Sequence, residues 1–155
     1  MPASFEHSKR WLCGGALSLL FFACHTTIST PDLRSAMQTY DRLIQKTDAD
    51  SIAQLYTIDG ELGAAARGRD SIRKFLLRFK DFKVLEQLST IDSIHTNHDT
   101  GYVSGTFHQR TIMPVHDSTN AKHEHDTVTI HGNFRSVWIS VPEYGWQIRR
   151  METDR

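Results

Sequence analysis

The sequence has little cysteine: Cys13 and Cys24 are its only thiols, and both lie near the amino terminus. If the chain is cut before Cys24 and that residue carries a lipid, no thiol remains for a disulfide, a metal site or a nucleophile. The sequence also has no internal repeat and no low-complexity stretch. We therefore expect one domain that works without cysteine chemistry.

An excess of charge of either sign is also missing. The 18 Lys and Arg residues balance the 18 Asp and Glu residues, and the formal net charge is zero. A neutral chain has no overall field that would attract phosphate backbones. Nucleic acid is not an expected partner.

Only one long apolar run is present, at residues 11–23, directly after Lys9 and Arg10. It is shorter than the about 20 residues of a spanning helix and has the length of a signal-peptide core. Residues 20–24, which end in Ala23 and Cys24, resemble a bacterial lipobox. We expect residues 1–23 to be a lipoprotein signal peptide, Cys24 to be the lipid attachment site and residues 24–30 to be a tether. The domain would then be anchored on the periplasmic side of a bacterial membrane; an ordinary secretory signal and an uncleaved anchor are the alternatives.

Helical patterns fill the first half of the remaining chain. Pro31 follows a capping Thr30, and apolar residues recur at helical spacing from Leu33 to Ile44. A second helix is expected from the cap Asp48 to Tyr56. A turn follows at Asp59 and Gly60, then a short extended piece at 61–64. A third helix begins near residue 69 or 70 and exposes a basic face.

Extended patterns fill the second half, with predicted strands at 84–96, 102–115, 127–141 and 146–153. Alternation in two of them separates an apolar row containing Val103, Phe107, Phe134 and Trp138 from a mainly polar row. Long antiparallel strands twist and curl, so the sheet can wrap around a helix. The outer row becomes apolar at Val137, Ile139 and Val141, which predicts a homodimer through that face.

Five short segments, at residues 51–60, 68–75, 101–107, 131–134 and 145–148, match segments of a known family in order and spacing. Among them, Gly68, Ile72 and Phe75 fit the spacing G-x-x-x-I-x-x-F. Residues 31–155 resemble the nuclear transport factor 2-like superfamily, and specifically its SnoaL-like branch. The resemblance implies an α+β cone: three N-terminal helices packed in the concave face of a long, curved antiparallel sheet.

The same superfamily contains the ketosteroid isomerases, which use a helix-one tyrosine and two aspartates. Tyr40 matches the tyrosine, but Ala64 and Gly132 occupy the two aspartate positions. Without those carboxylates there is no evident base for that reaction. The resemblance therefore favours a domain that is not an enzyme and needs no cofactor.

Aromatic side chains on the inward stripes suggest a pocket for a small apolar ligand, with the Tyr40 hydroxyl as its polar group. The alternative is that these residues only fill the core. The candidate ligand-binding residues are Tyr40, Tyr56, Phe75, Phe107, Phe134 and Trp138.

Histidines and acids supply the weaker hypotheses. His123, Glu124 and His125 alternate on one segment, with His116 or Asp126 as a third ligand, but the spacing fits no specific metal motif, so no metal is expected. One alternative function is a SnoaL-type enzyme (an isomerase, cyclase or hydratase) that pairs Tyr40 with an inward-facing His108 or His131. Another is an interaction module that dimerises through the outer sheet face. Asp59 and Glu61 are the acids nearest the expected cone mouth, and we assign them no catalytic role.

Overall fold

The computed structural model describes residues 30–114 and 127–154. The predicted signal peptide, residues 24–29 of the predicted tether, and the histidines at 116, 123 and 125 lie outside these ranges. The helices and strands, in chain order, are α1 (Thr30–Gln45), α2 (Ala49–Gln54), β1 (Tyr56–Leu62), β2 (Ala66–Arg67), α3 (Arg69–Leu76), a 3-10 turn (Leu77–Phe79), β3 (Lys83–Asn97), β4 (Thr100–Ile112), β5 (Thr127–Val141) and β6 (Gly145–Asp154). None of the helices within these ranges is both long enough and apolar enough to cross a membrane.

The fold is α+β, with six strands in one mixed sheet ordered β2-β1-β6-β5-β4-β3. Strands β3 to β6 form an antiparallel meander. The expectation of a purely antiparallel sheet is wrong, because β1 pairs parallel to β6. The chain reaches this position by crossing from α2 to the far side of the meander, a non-local pairing that no local pattern indicates.

The expected turn at Asp59 and Gly60 is also wrong, since both residues lie inside β1. The register with β6 shifts between Tyr56 and Glu61, and Gly60 sits at this irregularity. A Cβ at Gly60 would lie 3.0 Å from the carbonyl oxygen of Ile148. The glycine therefore marks a bulge where two backbones approach closely, and not the end of a strand.

The prediction of three consecutive helices before the sheet is not confirmed in that form. The β1–β2 hairpin lies between α2 and α3. Helix α2 is also shorter than expected: it is capped by Asp48, whose carboxylate accepts the Ser51 N–H at 3.0 Å, and it ends before Tyr56. Tyr56 instead begins β1, where its carbonyl accepts the Arg69 guanidinium at 2.6 Å and so secures the start of α3.

Helix α1 covers the free edge of β3. The Asp41 carboxylate accepts the Ser89 backbone N–H at 3.0 Å, and the Gln45 side chain donates to the Leu85 carbonyl at 3.1 Å. An uncovered edge strand would expose unpaired backbone groups. The helix thus closes that side of the sheet and brings its apolar stripe over the inner face.

The core lies between the helices and the inner rows of β4, β5 and β6. The inward rows predicted from alternation face the helices, with Val103 at 2% and Phe134 at 3% exposure. The largest fully buried side chains are Trp138, Tyr56, Leu33, Met37, Ile72, Ile148, Met151 and Val103. The Trp138 indole N–H donates to the Ser136 hydroxyl at 2.9 Å, so this buried ring has no unpaired donor.

Candidate functional site

A cavity of about 530 Å³ lies between the helices and the inner face of the sheet. Its side chains come from every helix and from strands β1 and β3 to β6, and most are apolar. Phe79 and Met113, which are 38% and 40% exposed, also line the cavity, so it opens to solvent. The apolar lining includes Met37, Tyr40, Ile44, Ile52, Leu76, Phe82, Phe107, Val128, Ile130, Phe134 and Met151.

A polar strip crosses this lining on β3 and β4. It consists of Gln87, Ser89, Gln109 and Thr111, and Gln87 is the cross-strand partner of Gln109. Within the strip, the Gln109 side-chain amide donates a hydrogen bond to the Thr111 hydroxyl at 2.7 Å. We did not predict this strip from the sequence. Its polar residues interrupt inner rows that are otherwise apolar, and that interruption could have indicated a polar part of the lining.

Asp41 of helix α1 lies behind one end of the polar strip. Its carboxylate accepts the Gln87 side-chain amide at 3.1 Å and the Ser89 hydroxyl at 2.7 Å. The Gln87 side-chain oxygen Oε1 is buried and has no hydrogen-bond partner among the described residues. Gln87, a residue that lines the cavity, therefore carries a buried acceptor without a partner in the described part of the chain.

Two tyrosines meet beside the cavity. Burial raises the pKa of Tyr40 to about 12, an effect partly offset by the neighbouring Tyr56 hydroxyl. The pKa of Tyr56 is raised well above its ordinary value, again mainly by burial and then by Tyr40. The Tyr56 hydroxyl has no well-aligned hydrogen-bond partner in the described ranges. Both phenols stay protonated at neutral pH and serve as neutral donors or acceptors.

The six predicted pocket residues divide into three groups. Tyr40, Phe107 and Phe134 line the cavity. Tyr56 and Trp138 are fully buried in the adjoining core. Phe75 packs edge-on against Phe79 at a centroid distance of 5.4 Å and does not line the cavity.

His108 and His131 are cross-strand partners on β4 and β5, on the face opposite the cavity. His131 is exposed, and the His108 side chain lies 3.8 Å from the Glu86 carboxylate on that same face. A reaction that pairs either histidine with Tyr40 has no geometric basis. This version of the enzyme hypothesis is wrong, because the alternation of each strand places its polar row outside.

A family model described as a SnoaL-like domain matches residues 30–152. The chain belongs to the SnoaL-like family. No curated protein is detectably similar in sequence.

Solved structures share the fold of this SnoaL-like domain at low sequence identity. A ketosteroid isomerase-like protein from Erwinia carotovora atroseptica SCRI1043 is 17% identical, with a TM-score of 0.64 over 79% of this chain and 92% of that one. A nuclear transport factor 2-like superfamily protein from Salmonella enterica serovar Typhimurium is 14% identical, with a TM-score of 0.62 over 80% and 88%. A Catenulispora acidiphila protein in complex with S-DNPA is 12% identical, with a TM-score of 0.62 over 79% and 90%.

Ala64 and Gly132, which the resemblance matched to the isomerase aspartates, do not line the larger cavity of this SnoaL-like domain. Ala64 is exposed in the β1–β2 turn and borders a second, smaller cavity. At Gly132 an added Cβ would collide with the Asp154 carbonyl oxygen and lie 3.1 Å from the Phe107 ring. The backbone of β6 and the Phe107 ring thus occupy the space that an aspartate at position 132 would need.

The acids Asp59 and Glu61 also lie away from the cavity of this SnoaL-like domain. Asp59 accepts the Thr57 hydroxyl at 3.0 Å and pairs with Arg149. Glu61 pairs with Arg150 at 2.7 Å and Arg67 at 3.5 Å. These pairs connect β1 to its neighbouring strands. Within the described residues, no group of three His, Cys, Asp or Glu side chains is arranged to hold a metal ion.

The outer sheet face carries the apolar row predicted to dimerise. Val137, Ile139 and Val141 are half-buried, and Tyr102, the cross-strand partner of Val137, is 48% exposed. The homodimer stays a prediction, and light scattering at micromolar concentration tests it.

Proposed function

We propose that this SnoaL-like domain binds a small, neutral and largely apolar molecule in its cavity without transforming it. The observation that carries the proposal is the cavity itself. It measures about 530 Å³, and Tyr40 is the one titratable side chain among its described lining residues. That volume is within the range of about 300 to 1,000 Å³ typical of small-molecule sites.

The chemistry of the lining supports binding over catalysis. General acid–base catalysis needs a group whose pKa lies near the working pH. The pKa of Tyr40 is about 12, far above neutrality, and the nearby Asp41 carboxylate is engaged by Gln87 and Ser89. Neither group is suited to abstract a proton from a bound molecule at neutral pH.

A structural neighbour gives the proposal independent support. The Catenulispora acidiphila protein of the same fold is described in complex with S-DNPA. A protein of this fold thus occurs in complex with a ligand, which is compatible with ligand binding by this domain.

The location is part of the proposal. The signal-like segment at residues 1–23 and the lipobox-like sequence at Cys24 favour an exported lipoprotein, with the domain starting at Thr30 close to a membrane surface. Incorporation of radiolabelled palmitate into the wild type, and its loss in Cys24→Ala, tests this arrangement.

Titration with N-phenyl-1-naphthylamine, a neutral dye whose fluorescence rises in apolar surroundings, tests the binding proposal. We expect a saturable rise with the wild type, because a cavity of about 530 Å³ can enclose the naphthyl and phenyl groups of the dye. Ile130→Trp fills the cavity from β5 and is expected to abolish the rise. The matched control is Thr129→Trp, which places the same ring on the exposed face one residue earlier and should preserve it.

The dye is excited at a wavelength longer than those that tryptophan absorbs. The introduced indole ring then does not contribute to the measured fluorescence. Circular dichroism shows whether both variants are folded. Equal dye binding by the two variants would contradict the cavity as the site, and no binding by the wild type would contradict the proposal as a whole.

A further inference from the structure

The orientation of the Gln87 side-chain amide is fixed by chemistry. Its Nε2 lies 3.1 Å from the Asp41 carboxylate, and an ionised carboxylate only accepts hydrogen bonds. The NH₂ group must therefore face Asp41, and the carbonyl oxygen Oε1 must point away from it. Gln87 lines the cavity, and Oε1 is buried without a partner among the described residues.

The hydrogen bonds that the neighbouring polar side chains donate go to other partners. The Gln109 amide, directly across from Gln87, donates to the Thr111 hydroxyl. The Ser89 hydroxyl donates to Asp41. Buried polar groups normally have a partner, and a missing one is costly. A ligand with a hydroxyl or N–H group can therefore supply the donor that Oε1 lacks.

Attachment of helix α1 to the sheet does not by itself explain Gln87. Asp41 already receives two hydrogen bonds from Ser89, one from its backbone and one from its side chain, and Gln45 adds a third attachment to Leu85. A shorter or apolar residue at position 87 would leave these three bonds in place. What Gln87 adds is a buried acceptor of fixed orientation on a side chain that lines the cavity.

We infer that Gln87 Oε1 accepts a hydrogen bond from a ligand hydroxyl or N–H, and that Asp41 is the positioning residue that fixes the orientation of this amide. The inference rests on the proposed function and names the ligand class: a neutral, mostly apolar molecule with one donor, such as an alcohol, a phenol or a secondary amide. A carboxylate ligand would bring its own oxygen against Gln87 Oε1, and two acceptors without a proton between them repel each other. The described lining also offers no Lys, Arg or His to neutralise such an anion.

Two probes that differ in one donor test this inference: 2-naphthol and 2-methoxynaphthalene, each titrated by isothermal calorimetry at neutral pH. The ether has the larger apolar area, so burial alone favours it. We expect the wild type to prefer 2-naphthol by about tenfold, the effect of one buried hydrogen bond. Gln87→Met keeps the chain length but removes the acceptor, and it should bring the ratio of the two affinities close to one.

Gln109→Met is the matched control, because it makes the same change at the cross-strand position in the same cavity. It should retain the preference for 2-naphthol. Because the affinities for the two probes are compared on the same variant, general effects of a substitution on folding or cavity shape cancel in their ratio. If Gln87→Met does not fold, Asp41→Asn provides a second test. An asparagine amide can donate as well as accept, so Gln87 is free to rotate, and the preference should fall.

The outcomes separate the two proposals. Equal binding of both probes by the wild type, or a preference that persists in Gln87→Met, overturns the inference and leaves cavity binding intact. Failure of the wild type to bind either probe overturns both. A preference lost in Gln87→Met and kept in Gln109→Met supports the assignment of Gln87 as the acceptor.

Discussion

Asp41 in helix α1 accepts the backbone N–H of Ser89 in the edge strand β3 at 3.0 Å, across 48 positions of the chain. The same carboxylate accepts the Ser89 hydroxyl and the Gln87 amide. One side chain thus closes the sheet edge and orients a group in the cavity wall. The fold and the candidate site are connected through this residue.

Asp41→Ala is expected to lower the free energy of unfolding by about 2 to 3 kcal/mol, because it leaves partly buried donors of Ser89 and Gln87 unpaired. Gln45→Ala, which removes one exposed bond to the same strand, should cost less than about 1 kcal/mol. Urea unfolding measures both changes. Equal losses in the two variants would contradict the central place of Asp41 at this edge.

Tyr40 should make stability fall at alkaline pH. Its folded pKa is about 12, whereas an unfolded tyrosine has its ordinary value of 10.0. The stabilisation is fully present below pH 10 and is lost as the pH rises toward 12, because only the unfolded state has released its proton in that window. The slope is at most about 1.4 kcal/mol per pH unit for one group.

Urea unfolding of wild type and Tyr40→Phe between pH 9 and roughly pH 12 measures this slope, with Tyr144→Phe as the exposed control. Tyr40→Phe should decline less steeply than the other two proteins. Parallel declines in all three would show that Tyr40 has an ordinary pKa in the folded state.

Gly132→Ala is expected to destabilise the protein by about 1 to 3 kcal/mol, because the new methyl group meets the Asp154 carbonyl and the Phe107 ring. The neighbouring Asn133→Ala on the exposed row should change stability by less than about 0.5 kcal/mol. Thermal unfolding compares the two variants. A neutral Gly132→Ala would mean that β5 and β6 separate easily at this position.

The cap of helix α2 gives a prediction at acidic pH. Asp48→Ala should cost about 1 kcal/mol at neutral pH, since it removes the acceptor for the Ser51 N–H. The hydrogen bonds from Ser51 hold the pKa of Asp48 below its ordinary value. Its contribution is therefore present above the unfolded pKa of 3.8 and is lost as the pH falls through the lower folded value.

The difference in unfolding free energy between wild type and Asp48→Ala should accordingly shrink as the pH is lowered below 4. Asp92→Ala, which removes an exposed carboxylate of β3, controls for the loss of one charge. A difference that stays constant down to pH 2 would contradict the role of the ionised cap.

Sequence patterns predicted the four strands of the meander, and alternation assigned the faces of β4 and β5. Strand β5 begins and ends at Thr127 and Val141 as expected. The same reasoning failed at β1. Gly60 lies at a bulge of β1, and the partner strand β6 is distant in the sequence. The Asp59-Gly60 pair therefore suggested a turn at a position that lies within a strand. Parallel pairing to β6 is a property of the chain path and not of any short segment.

The cavity was only partly predictable. Tyr40, Phe107, Tyr56 and Trp138 all follow inward stripes, and periodicity does not distinguish a lining residue from a core residue. The difference arises from how far the helices stand from the sheet. Gln87 was missed because its role depends on Asp41, which is 46 positions away in the chain and contacts it only in the folded protein.

The most direct test of ligand binding is a crystal structure of the protein grown with N-phenyl-1-naphthylamine. We expect electron density for the dye inside the cavity, between Tyr40, Phe107 and Phe134. Density for the dye only on the outer face of the sheet, or a cavity filled by the side chains of Phe79 and Phe82, would contradict it.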